Sequence, residues 1–309
     1  MKYIGLQSQI NRNNRNSILL LIAFPMLILL GVYLFFFFGF QPNMDEVNNN
    51  FIRTIPFILI GVAVWFAIAF TMHSRLISLA TKSRSLSRKE NMTIYNLTEN
   101  LCMSVGMKMP KLYVIESSAL NAFASGINEK TYAVTLTRGI IETLDEKELE
   151  GVIAHELTHI RNQDVRLLIV SIIFVGIFGF LVEILFRSVI WGGGGRRRDD
   201  KTDPRIMIVA LVIAVIVYFL SVLFKFALSR KREYLADAGA VEMTKDPMSM
   251  ASALRKISRN YEVETKTDDV KSMFIQHGKS KKKNFFSSIS GLFATHPPIE
   301  RRIKILEQL

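Results

Sequence analysis

The chain has 309 residues, half of them hydrophobic, with a formal net charge of +12 and a single cysteine. One cysteine cannot form an internal disulfide, which excludes a disulfide-held secreted scaffold. The basic excess has no nucleic-acid motif beside it and borders apolar stretches, so it points to the anionic face of a membrane.

The first apolar block, Ser17 to Phe40, contains no charged residue. It exceeds the roughly 20 residues that a helix needs to cross a bilayer core. A signal peptide would have an apolar centre of about 7–15 residues and a small-residue cleavage site. Bulky Phe35 to Phe38 stand there instead, so the block reads as a retained anchor with those rings toward lipid. A second block, Ile52 to Met72, follows a short loop with Asp45 and Glu46. Lys2, Arg12 and Arg15 precede the first block; Arg75, Lys82, Arg84, Arg88 and Lys89 follow the second. The positive-inside rule then places the N-terminus and the region after Arg75 in the cytoplasm.

In that region Asn91 to Val105 reads as a helix stopped by Pro110. Lys111 to Ile115 and Thr131 to Leu136 read as strands, and Asn121 to Ser125 as a short edge strand ending in a turn at Asn128–Glu129. Asp145 and Glu148 form a capping-box pattern at the head of an apolar-periodic run. Two more apolar blocks follow, Leu167 to Trp191 with Glu183 inside it and Ile206 to Leu228 with Lys225 near its end. Glu183 is expected to face a neighbouring helix or a polar cavity, and Lys225 to snorkel to the interface. The linker holds Gly192 to Gly195 and Arg196 to Arg198. A full crossing by both blocks would put those arginines on the outer side, so a partly inserted hairpin is the competing reading. After the fourth block, Asp246–Pro247 opens a helix to about Tyr261. Lys266 to Phe286 reads as a mobile lysine-rich loop, and Pro297 and Pro298 start a last helix. The expected organisation is 1–73 as two transmembrane helices, 74–166 and 229–309 as two parts of one catalytic domain, and 167–228 as a hydrophobic helix pair. The fold class is a membrane protein, mainly α with a small β-sheet.

The capped run carries His155-Glu-Leu-Thr-His159. Histidines at i and i+4 share one helix face, so both imidazoles can reach one metal ion. Zinc lowers the pKa of a ligated water to about 7, and Glu156, beside the open side, is placed to take that water's proton and pass it to a leaving amine. A tetrahedral catalytic zinc needs a third protein ligand. The pattern with a downstream histidine requires Gly at 162 and His or Asp at 165; this chain has Asn162 and Val165. The other solution is a glutamate on a second helix, and Glu233 fits, with Asp237 one turn later to accept the free N–H of a zinc-bound histidine. Glu242, Glu262, His277 and His296 are weaker rivals for the third position. Asp164 lies off the histidine face and reads as a cap or as a group supporting the ligands.

Those residues, with Asn121-Ala-Phe-Ala-Ser-Gly126, Arg232-Glu-Tyr-Leu-Ala-Asp237 and Thr295-His-Pro-Pro298, resemble the HtpX family of bacterial membrane metalloproteases, relatives of the zinc CAAX prenyl proteases. The resemblance covers most of the chain. It implies a zincin-like domain plus about four hydrophobic helices, with His155, His159 and Glu233 as ligands of one zinc ion and Glu156 as acid/base. It also implies an inner-membrane location with a cytoplasmic site, and a stress role in quality control of misfolded membrane proteins. Asn121, Ala122, Phe123 and Ala124 become the candidate edge on which a substrate backbone pairs, although a plain core-flanking strand would look the same. His296 is a candidate donor to the oxyanion of the tetrahedral intermediate, or else a helix-start histidine held by Pro297. Arg301 and Arg302 are candidate helpers, or membrane-facing or salt-bridged charges.

Three functions compete. The first is a zinc endopeptidase acting on membrane or membrane-adjacent proteins. The second is a non-hydrolytic membrane scaffold or chaperone with a structural metal site, which has no use for a base at Glu156. The third is a prenyl-peptide protease, against which the small number of hydrophobic blocks argues.

Overall fold

The computed structural model describes residues 6–39, 44–191, 204–227, 230–258 and 299–309. The 192–198 linker, the 266–286 loop, Glu262, His277, His296 and the two prolines after it lie outside the described residues. In chain order the elements are α1 (Leu6–Gly39), α2 (Met44–Thr81), β1 (Arg84–Ser85), α3 (Met92–Ser104), β2 (Lys111–Ile115), β3 (Ala122–Ser125), β4 (Ala133–Thr137), α4 (Arg138–Thr143), α5 (Glu146–Arg161), α6 (Asp164–Trp191), α7 (Pro204–Ala227), α8 (Arg230–Thr244), α9 (Pro247–Ile257) and α10 (Ile299–Leu306). Two compact units divide them: Asn16–Thr71 with Val170–Lys225, and Met1–Arg15 with Met72–Ile169 and Phe226–Leu309.

The first unit is a set of apolar helices. Among the described residues three helical stretches, Ile10–Phe38, Met44–Thr81 and Asp164–Arg187, are long and apolar enough to cross a membrane, and Ile206–Ser221 is a shorter apolar helix. Large side chains such as Ile22 and Met26 on α1, Phe57 and Ile60 on α2, and Ile216 and Phe219 on α7 are exposed. Such a belt is unfavourable in water and natural against lipid tails. Aromatic packing holds the interior: the Phe24 and Phe174 rings stack with centroids 4.5 Å apart, and Phe66 meets Phe174 at 5.4 Å. At Gly31 an added methyl group would meet Val217 and Ile213 at ordinary contact distances of 3.4 and 3.5 Å, so α1 and α7 are neighbours there with space for a small side chain. Glu183 faces outward here, paired with Arg187 one turn on at 2.5 Å. The ion pair softens the cost of a charge in an apolar helix.

The second unit is a helical layer on a small sheet. Among the described residues the sheet has four strands in the order β1-β2-β4-β3. β2 and β4 run parallel with Lys111 opposite Ala133, while β3 runs antiparallel to β4 with Ala122 opposite Leu136. β3 is thus the sheet's edge. β4 begins two residues later than the apolar run suggests, because the Thr131 hydroxyl is engaged in the turn, accepting from the Ile127 and Asn128 N–H groups. Gly126 makes that turn possible: its φ is +110°, and a Cβ there would lie 2.5 Å from the Thr131 carbonyl oxygen.

α5 starts at the capping box read from the sequence. Asp145 accepts from the Glu148 N–H at 2.9 Å, and Glu148 accepts from the Asp145 N–H at 3.0 Å. Glu148 also takes a hydrogen bond from Ser252 and an ion pair from Lys256, both at 2.6 Å, so the residue that starts α5 also pins α9 to it. Val152, Ile153, Ala154 and Leu157 are fully buried. Val152, Ile153 and Leu157 each contribute about 1.5–3 kcal/mol relative to exposure. α9 is capped by Asp246 with Pro247 in its first turn and ends at Ile257 with Ser258 as its cap, short of the expected Tyr261.

Candidate active site

The chemistry-bearing residues come from α5, α8, the start of α6 and α10. α5 and α8 lie face to face, and Gly239 sets how closely: a Cβ there would be 2.4 Å from Thr158 Cγ2. Only glycine lets α8 bring its acidic face up to the histidines.

On α5, His155 and His159 lie one turn apart, rings edge to face with centroids 4.8 Å apart. Glu233 on α8 stands across from both, its carboxylate oxygens 3.7 Å from His155 Nε2 and 3.5 Å from His159 Nε2. One donor atom from each of the three lies within 4.8 Å of the others. Donors about 2.0–2.1 Å from a tetrahedral zinc stand about 3.3 Å apart, so two imidazoles and a carboxylate at these separations fit such an ion.

Each histidine has its other nitrogen engaged by a carboxylate. His155 Nδ1 is 3.0 Å from Asp237 Oδ1, which turns Nε2 toward the pocket. His159 Nδ1 is 3.1 Å from Asp164 Oδ2, again leaving Nε2 inward. Bonds of this kind select the tautomer and hold the ring. Asp164 supports a histidine, but from the head of the following helix, across a tight turn with Gln163 at φ +62°. A helical wheel of α5 has no place for it.

Behind the carboxylates is Arg302 of α10, 1% exposed. Its Nε and Nη2 donate to the two oxygens of Asp237 at 2.8 and 2.6 Å, and Nη1 is 3.3 Å from Glu233 Oε2. Arg302 is therefore a buried salt-bridged charge, while Arg301 is exposed. Burial works to raise the Asp237 carboxyl, but Arg302 outweighs it and holds the group below the ordinary aspartate range. Burial pushes the His155 imidazole down, and the bonds to Asp237 and Glu233 more than reverse this, to about 9.

Glu156 is buried beside the pair. Burial pushes its carboxyl above the usual range and Glu233 adds to the effect; the imidazoles and the nearby Ala124 backbone work the other way. α5 packs against β3 here. Asn121 turns inward: its carbonyl accepts from the Thr137 N–H at 3.0 Å, and its own N–H donates to Thr137 Oγ1 at 3.0 Å. By the alternation of an antiparallel ladder, Phe123 also pairs toward β4, and Ala122 and Ala124 turn their backbone groups away from it; the Ala122 N–H donates to Asn121 Oδ1 at 3.0 Å, and the strand is buried throughout. The Phe123 side chain is fully buried.

Of the rival ligands, Glu242 is more than half exposed and ion-paired with Arg161 at 3.8 Å, away from the pocket. His296 lies outside the described residues. Asn13 near the start of α1 belongs to the site's surroundings, through Asp164; nothing local in the sequence marks it.

An H-E-x-x-H helix facing a carboxylate helix, in a chain with membrane-length helices, defines a membrane-anchored metalloprotease. The comparisons agree. A family model described as peptidase family M48 matches residues 88–309. A protease HtpX homolog of Bacteroides fragilis is 54% identical with the whole of both chains aligned, and one from Listeria monocytogenes serotype 4a is 34% identical over 91% of this chain and 95% of its own. The crystal structure of S. mikatae Ste24p superposes with a TM-score of 0.50 at 19% identity, covering 91% of this chain and 61% of that one, which is a likeness of fold. The chain belongs to peptidase family M48, and a metal ion belongs to its reaction.

Proposed function

We propose that His155, His159 and Glu233 hold one zinc ion, and that Glu156 is the acid/base with which this protein hydrolyses peptide bonds of membrane and misfolded proteins. The observation that carries the reading is the convergence of two inward Nε2 atoms and one carboxylate beside a buried glutamate. Zinc, when bound, supplies Lewis acidity and a water acidic enough to react at neutral pH. The chain does the rest. Asp237 and Asp164 hold the rings, and Arg302 keeps Asp237 ionised and in place. Glu156 takes a proton from the attacking water and returns it to the leaving amine. A substrate strand adds to the edge of β3 along the Ala122 carbonyl and the backbone groups of Ala124, which brings the scissile bond near Glu156 because α5 packs against β3.

Removal of the metal is the direct test. Dialysis against a strong chelator should abolish cleavage of casein by the detergent-solubilised full chain, and one equivalent of zinc should restore it. Undiminished cleavage after complete metal removal would eliminate the mechanism.

The location proposed is a bacterial inner membrane, with the catalytic unit in the cytoplasm. The basic flanks of the first two spans support it: Arg12 and Arg15 on one side of the hairpin, Arg75 and Lys82 on the other, with Asp45 and Glu46 between. A reporter fused after Leu309 should behave as cytoplasmic; periplasmic activity from that fusion would reverse the orientation.

A further inference from the structure

We infer that Asn13, at the head of the first membrane helix, is a positioning residue for the metal site, acting through Asp164 on His159. The inference rests on the ligand assignment above. Asn13 is buried, and its side-chain amide nitrogen lies 2.7 Å from two oxygens, the Asn162 carbonyl and Asp164 Oδ1. Both can only accept, so the amide must present its nitrogen and give one proton to each. The other oxygen of Asp164, Oδ2, meets His159 Nδ1 at 3.1 Å. Asn13 thus fixes the rotation of a carboxylate whose second oxygen fixes the rotation of an imidazole, whose far nitrogen faces Glu233 at 3.5 Å.

The turn that Asn13 clamps is a vulnerable one. α5 ends at Arg161 and α6 begins at Asp164, with only Asn162 and left-handed Gln163 between them. The same turn is held from α8, where Arg232 Nη1 donates to the Asp164 carbonyl at 3.2 Å. Arg232 thus holds the backbone of residue 164, and Asn13 orients its side chain. The helix start alone would favour a negative charge at Asp164 without directing it at His159; the bonds from Asn13 and His159 supply the direction. A segment 149 residues before the turn that follows the ligand helix therefore completes the surroundings of that helix.

The test is zinc affinity of the full chain in detergent, measured by competition with a chromogenic chelator, for Asn13→Ala, Asn13→Asp, Asp164→Ala and the Asn13→Ala/Asp164→Ala double variant. Asp164→Ala should weaken zinc binding by about 10- to 100-fold and Asn13→Ala by about threefold to tenfold. The double variant should lose little beyond Asp164→Ala alone, the small remainder being the separate bond of Asn13 to the Asn162 carbonyl. Asn13→Asp keeps the size of the side chain but points a carboxylate at Asp164, and should bind zinc at least as weakly as Asn13→Ala. Wild-type zinc affinity in Asn13→Asp or Asn13→Ala, or additive losses in the double variant, would overturn the inference. His159→Ala serves as the reference: if it binds zinc like wild type, the ligand assignment fails instead.

Discussion

Glu156→Gln is expected to lower the rate of casein or peptide cleavage by about 10²- to 10⁴-fold, the usual worth of a positioned acid/base, with the zinc content unchanged at one per chain. Gln has the same shape and fits the same buried site. What it lacks is the ability to take and return a proton. Glu156 is not among the three groups that ring the pocket, so metal binding does not depend on it. The loss should fall on kcat, because an interaction made only in the transition state leaves ground-state binding untouched. Metal analysis and steady-state kinetics on the same preparation separate the two readings. Cleavage equal to wild type would leave a non-hydrolytic scaffold with a structural metal. The same variant would also trap substrates on the β3 edge, making the edge proposal accessible to cross-linking from Ala122 and Ala124.

The parts of the structure legible in the sequence are those with local causes. A capping box occupies four consecutive positions, so Asp145 and Glu148 announced the start of α5 without help from the fold. The i, i+4 spacing alone puts His155 and His159 on one helix face. Apolar length gave the membrane helices, although α2 continues to Thr81, well past the apolar stretch that revealed it. Sites built across long separations were harder to see. Glu233 is a candidate only through chemistry, the demand for a third donor, and what sets Glu242 apart is its outward pairing with Arg161. Asp164 reads from the sequence as a cap or a supporting group, and its route to His159 depends on a left-handed residue that no periodicity reveals. Asn13 carries no local signal at all: its role exists only because α1 passes the α5–α6 turn. Arg302 was ambiguous for a related reason. An arginine in a basic helix reads as a helper, a membrane-facing or a salt-bridged charge alike, and only burial against two carboxylates distinguishes them.

Arg302 also carries the largest expected effect on stability. Removing it as Arg302→Leu leaves Asp237 and Glu233 buried without their cation, and breaking a buried pair from one side costs about 3–5 kcal/mol. For a unit of this size that should lower the midpoint of thermal unfolding by about 6–20 °C. Arg302→Lys should fall between, since one ammonium cannot span both oxygens of Asp237 while also reaching Glu233. The double variant Arg302→Leu/Asp237→Asn should recover part of the loss, because it removes the stranded charge with its partner. Activity, however, should not recover with stability. Asp237 on its own account keeps His155 Nε2 turned inward, with Nδ1 at 3.0 Å from its carboxylate, and an amide there accepts a weaker bond. Thermal unfolding and zinc affinity measured on the same variants should therefore separate: the first partly restored by the double change, the second not. If both returned together, Arg302 would be acting only as a structural clamp for α10, and the link from the arginine through Asp237 to the histidine would be broken.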